Sequence, residues 1–446
     1  MTLVRTVRAS LALTVDRLDA SFHASPGEAA ASRLIASGRQ VHRLGDLGEP
    51  WTPSRFSRVW AAPGEQGVSY LRPYDTFDYL PVAADRLSQI RTGNLESLRL
   101  TEGDLLITCS GRNLGPTAYV GSLLSTFALS HDMVRVRIDE GDRYWLFAYL
   151  RSDTGQALLR RGRSGSVIDH ITVDDVRRLP VPELEIAEKE DVSALVSHAL
   201  EMRERARASL LAVIGDSPVA GTAAASTRAT WDIRAARLND RLDAARYHPA
   251  VQAAASDPEV LAGPTIGDLA EAVLPTRYRR LYVAAEHGRP ILSGRQLLQA
   301  DTVNLRYVSD KSFRDPSSME LRPGATVFGA VGRSEGRVGQ AALISADRAG
   351  FLASNDVMRL FPRDGIRPGA LWAAVADPRT QAQIKSLSFG SVIDHMNPWD
   401  VEALHAPLVD DATADAVEDA WQSFSDAAIL LNTATELIES LLAESA

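Results

Sequence analysis

The sequence predicts an α+β chain in which one unit is written twice: two mixed α/β globules, each followed by a long helix, the two helices pairing as an antiparallel coiled coil. Three observations carry this. The hexapeptide Gly165-Ser166-Val167-Ile168-Asp169-His170 returns unchanged from Gly390 to His395, half a chain of 446 residues away, and self-similarity on that scale governs every local reading. Further anchors recur in the same order. Arg17-Leu18-Asp19-Ala20 answers Arg241-Leu242-Asp243-Ala244, Gly45-Asp46-Leu47 answers Gly267-Asp268-Leu269, and Ser130-His131-Asp132 answers Ser354-Asn355-Asp356. Gly103 and Gly111-Arg112…Gly115 answer Gly324 and Gly332-Arg333…Gly336. Each half then closes on an apolar seam with coiled-coil spacing.

In chain order, Ser25-Pro26-Gly27-Glu28 supplies an N-cap, a proline in the first turn and a glutamate three residues on, launching a helix to about Ser37. Residues 41–44, 70–71 and 98–100 read as short strands between Pro and Gly punctuation. The run 105–108 is a buried strand, broken by the loop Ser110-Gly111-Arg112-Asn113-Leu114-Gly115-Pro116 and resumed at 118–120. Val134, Val136 and Ile138 alternate with Arg135 and Arg137, predicting a half-exposed strand with two arginines on one face. Residues 144–159 read as one helix before the hexapeptide. From 186 to 214 a long helix follows, with Val192, Leu195, Ala199, Met202, Ala206, Leu210 and Val213 in its seam. The second half repeats the plan: strand 326–328, loop 329–339, strand 341–344 and helix 371–387. Its final helix carries Val417, Trp421, Phe424, Ala428, Leu431, Thr435, Ile438 and Leu442. The expected division is therefore globule 1–184, helix 185–215, linker 216–230, globule 231–409 and helix 410–446. Pairing of the helices within the chain is favoured by the duplicated plan, although the heptads alone also allow pairing across a dimer.

Composition narrows the class. Hydrophobic residues at 45% and charged residues at 24% suit a soluble globular chain. The single cysteine, Cys109, fits a reducing cytosol. Neither a secretory leader nor an apolar run long enough to span a membrane is present, so the expected location is the cytoplasm. The net charge of −9 argues mildly against nucleic acid, but the acid is concentrated in the helical stretches 183–191 and 410–419. The cations are nearly all arginine, the only lysines being Lys189, Lys311 and Lys385. Arginine suits phosphates and guanine edges, while a GC-rich genome explains the same bias without function.

Catalytic patterns are missing. The loop Gly329-Ala330-Val331-Gly332-Arg333-Ser334-Glu335-Gly336 lacks the Gly-Lys-Ser/Thr ending of a phosphate loop. Asn397-Pro398-Trp399 resembles part of an amino-methyltransferase tetrapeptide, but one copy at a predicted helix start reads as a cap. The nine histidines show no metal spacing. His170 and His395 each follow an aspartate without a nucleophile motif beside them, which favours phosphate contact or packing. The chain is expected to have no catalytic residue, no metal and no cofactor of its own.

The ordered set resembles the specificity subunit of type I restriction-modification systems over nearly the whole chain. The resemblance lies in Arg-Leu-Asp-Ala near a proline in each half, Gly-Asp-Leu-Leu-Ile…Ser-Gly…Gly at 103–115, and Gly-Ser…Ile…Leu-Pro-Val-Pro at 165–182 before a long helix. Pro323-Gly324-Ala325 lacks the aspartate, and His405-Ala406-Pro407 keeps one proline. The resemblance implies two target recognition domains, each reading half of a split, asymmetric site in double-stranded DNA. It implies helices that set the gap and dock two adenine methyltransferase subunits. Those partners would bind S-adenosylmethionine, and a restriction–translocation subunit is a further partner it allows.

Within this reading, residue chemistry points to Arg112 and Asn113, with Arg333, Ser334 and Arg337 in the twin loop, for base contact. Arg160, Arg161, Arg163, Ser166 and His170, with Lys385, Ser388, Ser391 and His395, suit phosphate contact. Val192, Leu195, Met202, Leu210, Trp421, Phe424, Leu431 and Ile438 are the candidate partner-binding residues. Two other functions stay open at the level of sequence: a DNA-binding subunit of another phage-defence complex without methylation, and a coiled-coil scaffold whose globules bind proteins.

Overall fold

The computed structural model describes residues 20–23, 25–83, 85–111, 113–161, 169–215, 232–233, 238, 244–332, 339–389 and 394–444. The linker expected at 216–230 lies outside them.

The first half contains α1 (Pro26–Ala36), β1 (Val41–Arg43), β2 (Gly48–Trp51), β3 (Gly67–Leu71), β4 (Asp85–Ser88), β5 (Leu105–Thr108), β6 (Thr117–Tyr119), β7 (Ala128–Leu129) and β8 (Met133–Ile138). Then come α2 (Arg143–Arg151), α3 (Asp153–Arg161), β9 (Pro180–Pro182) and the long α4 (Ile186–Ile214). An antiparallel sheet of order β2-β8-β5-β6 packs beside a smaller one of order β4-β3-β7, in which β3 and β7 run parallel.

The second half contains β10 (Ala270–Val273), β11 (Tyr282–Val283), β12 (Arg289–Leu292), β13 (Arg306–Val308), β14 (Thr326–Gly329), β15 (Val331–Gly332), β16 (Ala341–Leu343), β17 (Leu352–Ala353) and β18 (Val357–Pro362). It ends with α5 (Pro368–Ala376), α6 (Pro378–Ser386), β19 (Asp394–His395) and α7 (Asp411–Glu444). Its sheets have the orders β10-β18-β14-β16 and β11-β13-β12-β17. Registers match as well as orders: Leu105 faces Val136 in the first half, and Thr326 faces Leu360 in the second. The fold is thus a mixed helix and sheet structure with a long C-terminal helix.

Local chemistry accounts for the element ends. Ser25 Oγ accepts the Glu28 N–H at 3.2 Å and starts α1. Glu188 reaches back to the Glu185 N–H at 2.8 Å and starts α4. Arg39 grips both oxygens of Glu188 at 2.8 Å and donates to the Leu441 carbonyl, tying the start of α4 to the end of α7. That hydrogen bonding from Arg39 also holds the Glu188 carboxyl below the usual carboxylate range. Helix 144–159 is two helices, because Ser152 turns extended after α2 and its hydroxyl accepts the Gly155 N–H in α3. The Asp377-Pro378 step divides α5 from α6 in the same way, with Asp377 capping the second. Residues 98–100 are not a strand; a 3-10 turn covers Leu95–Leu98, and Arg99 adds one bridge to Ala128.

The two long helices pack against each other within the chain, the start of α4 beside the end of α7. Val192, Val196 and Ala199 share a core with Ala427, Leu431, Ala434 and Ile438, whereas Ala206 and Leu210 join Val417, Ala420, Trp421 and Phe424. The buried stripe of α4 is wider than the expected seam. It takes in Val196, Arg203 and Arg207, while Leu195 and Met202 are only half-buried. The reason is that α2 lies on α4 beside Val196, and the segments holding Asp78, Tyr79 and Asp301 cover Arg203 and Arg207, while α5 lies on α7. Among the described residues no helix is long and apolar enough to cross a membrane.

The strand reading of β8 needs one correction. Arg135 is fully buried, not half-exposed. The 3-10 turn and β7 lie over that part of the face and aim carbonyl groups at its guanidinium. Arg137, two residues on, is 55% exposed and meets Asp104 at 3.3 Å. Arg359 occupies the matching position in β18 and is equally enclosed.

Candidate nucleic-acid interface

In each globule the loop after the central strand meets the end of the repeated hexapeptide. Ser110 bridges His170 in the first, and Val331 pairs with His395 in the second. Gly111 has φ of 92°, a backbone conformation favouring glycine, and its N–H donates to the Asp169 carbonyl at 3.2 Å. Two distant parts of the sequence thus form one tip.

The candidate residues divide there. Arg112, Arg163, Ser166, Arg333, Ser334, Arg337 and Ser391 lie outside the described residues. Asn113 donates to the Tyr74 hydroxyl at 2.6 Å. His170 Nδ1 lies 3.1 Å from Ser110 Oγ. No carboxylate orients that ring among the described residues, and the twin position holds Val331, so the pair is not built as a nucleophile and its base. His395 sits in β19 beside the Phe389 ring. Arg160 donates to the Leu114 carbonyl, and Arg161 pairs with the buried Glu28, which ties both to their own globule. Cys109 is buried, and burial pushes its thiol up to about 11, leaving it protonated and unreactive at neutral pH.

The partner-binding candidates sit in the long-helix packing. Val192, Leu210, Trp421, Phe424, Leu431 and Ile438 are buried there, with Leu195 and Met202 half-buried against the core that holds Val192, Leu431 and Ile438. Their side chains are occupied by this chain. A heptad seam names the apolar residues of a helix without naming what covers them.

Lys385 lies in the last turn of α6, where burial lowers its ammonium to about 8. Its folded pKa is below its unfolded value, so between about pH 8 and 10.5 the unfolded chain holds the extra proton. Stability should therefore rise with pH across that window. Lys385→Met is expected to flatten the rise, as thermal melts at stepped pH would read. A rise that persists unchanged in the variant would assign it to another group.

The structure also reveals residues that the anchors missed. Phe56, Arg58 and Trp60 lie on an extended segment beside β4, held by Ser88 N–H to Val59 O and Ala61 N–H to Arg86 O, both 2.8 Å. Alternate residues share a face, so these three project together. Arg58 donates to the Tyr70 hydroxyl at 3.0 Å, and Trp60 meets the Tyr70 ring edge-on at 5.7 Å. The second half places Tyr278, Arg280 and Tyr282 in the same way: Trp60 is bridged to Leu87 of β4, and Tyr282 to Val308 of β13. Arg280 donates to Asn355 Oδ1 at 3.0 Å and reaches Asp356 at 3.3 Å. Arg306 lies over the Tyr282 ring at 4.2 Å. The sequence signal was present as Phe-x-Arg-x-Trp against Tyr-x-Arg-x-Tyr, 222 positions apart. Only the arginine matches by identity; the flanking aromatics match by class, which identity between the halves does not register.

In the first globule Arg58 and Trp60 wall a cleft of about 720 Å³, completed by Arg55, Arg72, Tyr74, Thr108, Ser110, Asp132 and His170. Trp60 and Tyr74 stay 41% and 39% exposed, so aromatic faces remain available. Arg72 is matched by Asp85 at 2.9 Å, leaving Arg55 and Arg58 facing Asp132 inside the cleft. A cationic, aromatic concavity of this kind accepts anionic, planar groups. Among the described residues no group of three or more His, Cys, Asp or Glu is placed to hold a metal ion.

No protein-family model matches the sequence, and no curated protein matches it. Solved structures do. The S subunit of a type I restriction-modification system from M. genitalium matches with a TM-score of 0.30 and 10% identity, over 91% of this chain and 92% of that one. The HsdS subunit from Thermoanaerobacter tengcongensis matches at 0.28 and 15%, over 92% and 96%. A structure described by the complex assembly and conformational transition of the type I R-M system matches at 0.28 and 15%, over 92% and 97%. At scores of this size the functional reading rests on the residues themselves.

Proposed function

We propose that this chain is a non-catalytic DNA-recognition subunit, an internal duplication whose two globules read the two halves of a split, asymmetric site. The observation that carries the reading is the aromatic–arginine–aromatic segment set at the same place in both halves, Phe56-Arg58-Trp60 and Tyr278-Arg280-Tyr282. Shared placement supports a shared task, and different aromatics and neighbours support different target sequences. Two readers at a fixed separation specify a two-part site, as dimer geometry sets half-site spacing elsewhere. In this reading the globules span 1–184 and 231–409. The helices of 185–215 and 410–446 form an antiparallel coiled coil that sets the gap, with 216–230 as the linker.

The outer faces of α4 and α7 expose Glu190, Asp191 and Glu201, and Asp415, Asp419 and Glu436. Such acidic faces suit protein partners better than DNA. We assign them to two adenine methyltransferase subunits, which would carry S-adenosylmethionine, and to a restriction–translocation subunit where one exists. The complex would act on cellular DNA in the cytoplasm.

Binding of the purified chain, with its partners, to duplex DNA should weaken steeply with salt. Each phosphate neutralised adds about −0.9 to the slope of log K against log salt. A protein-binding scaffold would show no DNA binding to weaken. A long-read methylome with and without the gene then tests the partner assignment: adenine methylation at one split motif should vanish with the gene. An unchanged methylome would remove methylation targeting.

A further inference from the structure

The two globules touch directly, at the core in which Ala206 and Leu210 of α4 meet Trp421 and Phe424 of α7. Tyr79 N–H donates to the Leu298 carbonyl and Ala300 N–H to the Phe77 carbonyl, both at 2.8 Å, so that Asp78 faces Gln299 in an antiparallel bridge. Asp78 and Gln299 are 221 positions apart, the separation of the central strand starts Leu105 and Thr326 being the same. Matching positions of the two halves thus meet each other, as they do at a twofold interface between separate subunits.

Charged side chains lock this bridge to α4, and aromatic rings lock it to α7. Arg203 of α4 grips Asp301 with two hydrogen bonds of 2.7 and 2.9 Å, and Arg151 of α2 reaches the same carboxylate at 2.9 Å. Burial opposes the charge on Asp301, but the two guanidinium groups outweigh it and hold the carboxyl well below its usual range. Arg207 donates to the carbonyls of Tyr79 and Asp78, and Arg295 pairs with Asp75 at 2.9 Å. The Tyr79 ring meets Trp421 and Phe424 of α7 at 4.6 and 4.9 Å. Five parts of the chain converge here: the two bridge segments, α2, α4 and α7.

Resting on the DNA reading above, we propose that this clasp holds the two globules at one relative rotation on the coiled coil that sets the gap, so that a gap wrong by one pair is rejected, with Asp301 and Arg295 as positioning residues that touch no base. Each globule is seated on the long helices through α2 or α5, with further ties such as Ser122 to Glu204 and Thr154 to Glu439 in the first. The bridge at 75–80 and 295–301 adds a direct contact from one globule to the other, which restrains their rotation relative to each other. The demand is concrete, since one added base pair turns a duplex by about 34° and lengthens it by about 3.4 Å. Rejecting a gap wrong by one pair requires the globules to resist a rotation of that size.

The test selects duplexes from a randomised pool with the full-length chain, then repeats the selection with Asp301→Asn and with Arg295→Ala. The wild-type pool should show two half-sites at one gap. The variant pools should keep both half-site sequences and spread to neighbouring gaps, discrimination against a one-pair change falling at least tenfold. Unchanged gap discrimination in both variants overturns the proposal. Arg295 is partly exposed, so its variant reports on the clasp even if Asp301→Asn fails to fold. The distance distribution between fluorophores on the two globules, measured without DNA, should broaden in the same variants, and an unchanged width would count against the clasp. A wild-type pool with no two-part motif sinks the DNA reading itself and the gap role with it, while the distance measurement still reports the clasp.

Discussion

Arg135→Ala is expected to destabilise the first globule by about 3–5 kcal/mol, because it strips the donors from several enclosed carbonyls at about 1–3 kcal/mol each. The side chain is completely enclosed, and its two terminal nitrogens donate to four carbonyls. Nη1 reaches Ser97 and Arg99 at 2.8 and 2.9 Å, and Nη2 reaches Leu98 and Leu129 at 3.0 and 3.2 Å. An unsatisfied buried acceptor costs about 1–3 kcal/mol, so the loss of four donors far exceeds that of one surface arginine. Burial also depresses the Arg135 pKa to about 10, yet at neutral pH it stays charged and holds its acceptors. Arg135→Met keeps most of the volume and removes every donor. Near-equal losses in the Ala and Met variants would assign the effect to hydrogen bonding, whereas a mild Met variant would assign it to packing. Urea denaturation followed by tryptophan fluorescence reads both, and Arg359→Met should reproduce the effect in the second globule through Val357, Met319 and Ala353.

This arginine marks how far the sequence could be read. Alternation along 133–138 was legible and gave the strand, because a period of two depends only on neighbouring residues. What covers the arginine face was not legible, since that depends on β7 and the turn at Leu95–Leu98, which are distant or irregular in sequence. The long helices were legible almost to the residue, α4 being capped by Glu188 and both helices carrying continuous apolar stripes. Their buried stripe still differed at Arg203 and Arg207, because those cations are buried by Asp301, Asp78 and Tyr79 of the globules. Identity between the halves found the loop and hexapeptide anchors, and the structure joins them at one tip through Ser110 and His170. It could not find Phe56 and Trp60, whose twins are tyrosines; only the strand pairing shows that they stand in the same place.

Arg58→Ala and Arg280→Ala should each cost about 1–3 kcal/mol of DNA affinity, and each at one half-site only. Both arginines are held before any ligand arrives, Arg58 by the Tyr70 hydroxyl and Arg280 by Asn355 and Asp356. A held guanidinium loses little freedom on meeting a base edge or phosphate, so its removal is felt in full. The two sites lie in different globules without shared partners, so the double variant should lose the sum of the single losses. Tyr70→Phe supplies a graded control: it keeps the ring and frees Arg58, and should weaken the first half-site less than Arg58→Ala does. Binding to duplexes with either half-site scrambled separates the possible roles. If Arg58→Ala matters only when the first half-site is intact, the residue reads sequence. If it weakens every duplex equally and lowers the salt slope by about one, it holds a phosphate. If neither arginine changes binding to any duplex, the aromatic–arginine segments are structural and the interface lies elsewhere on the tips.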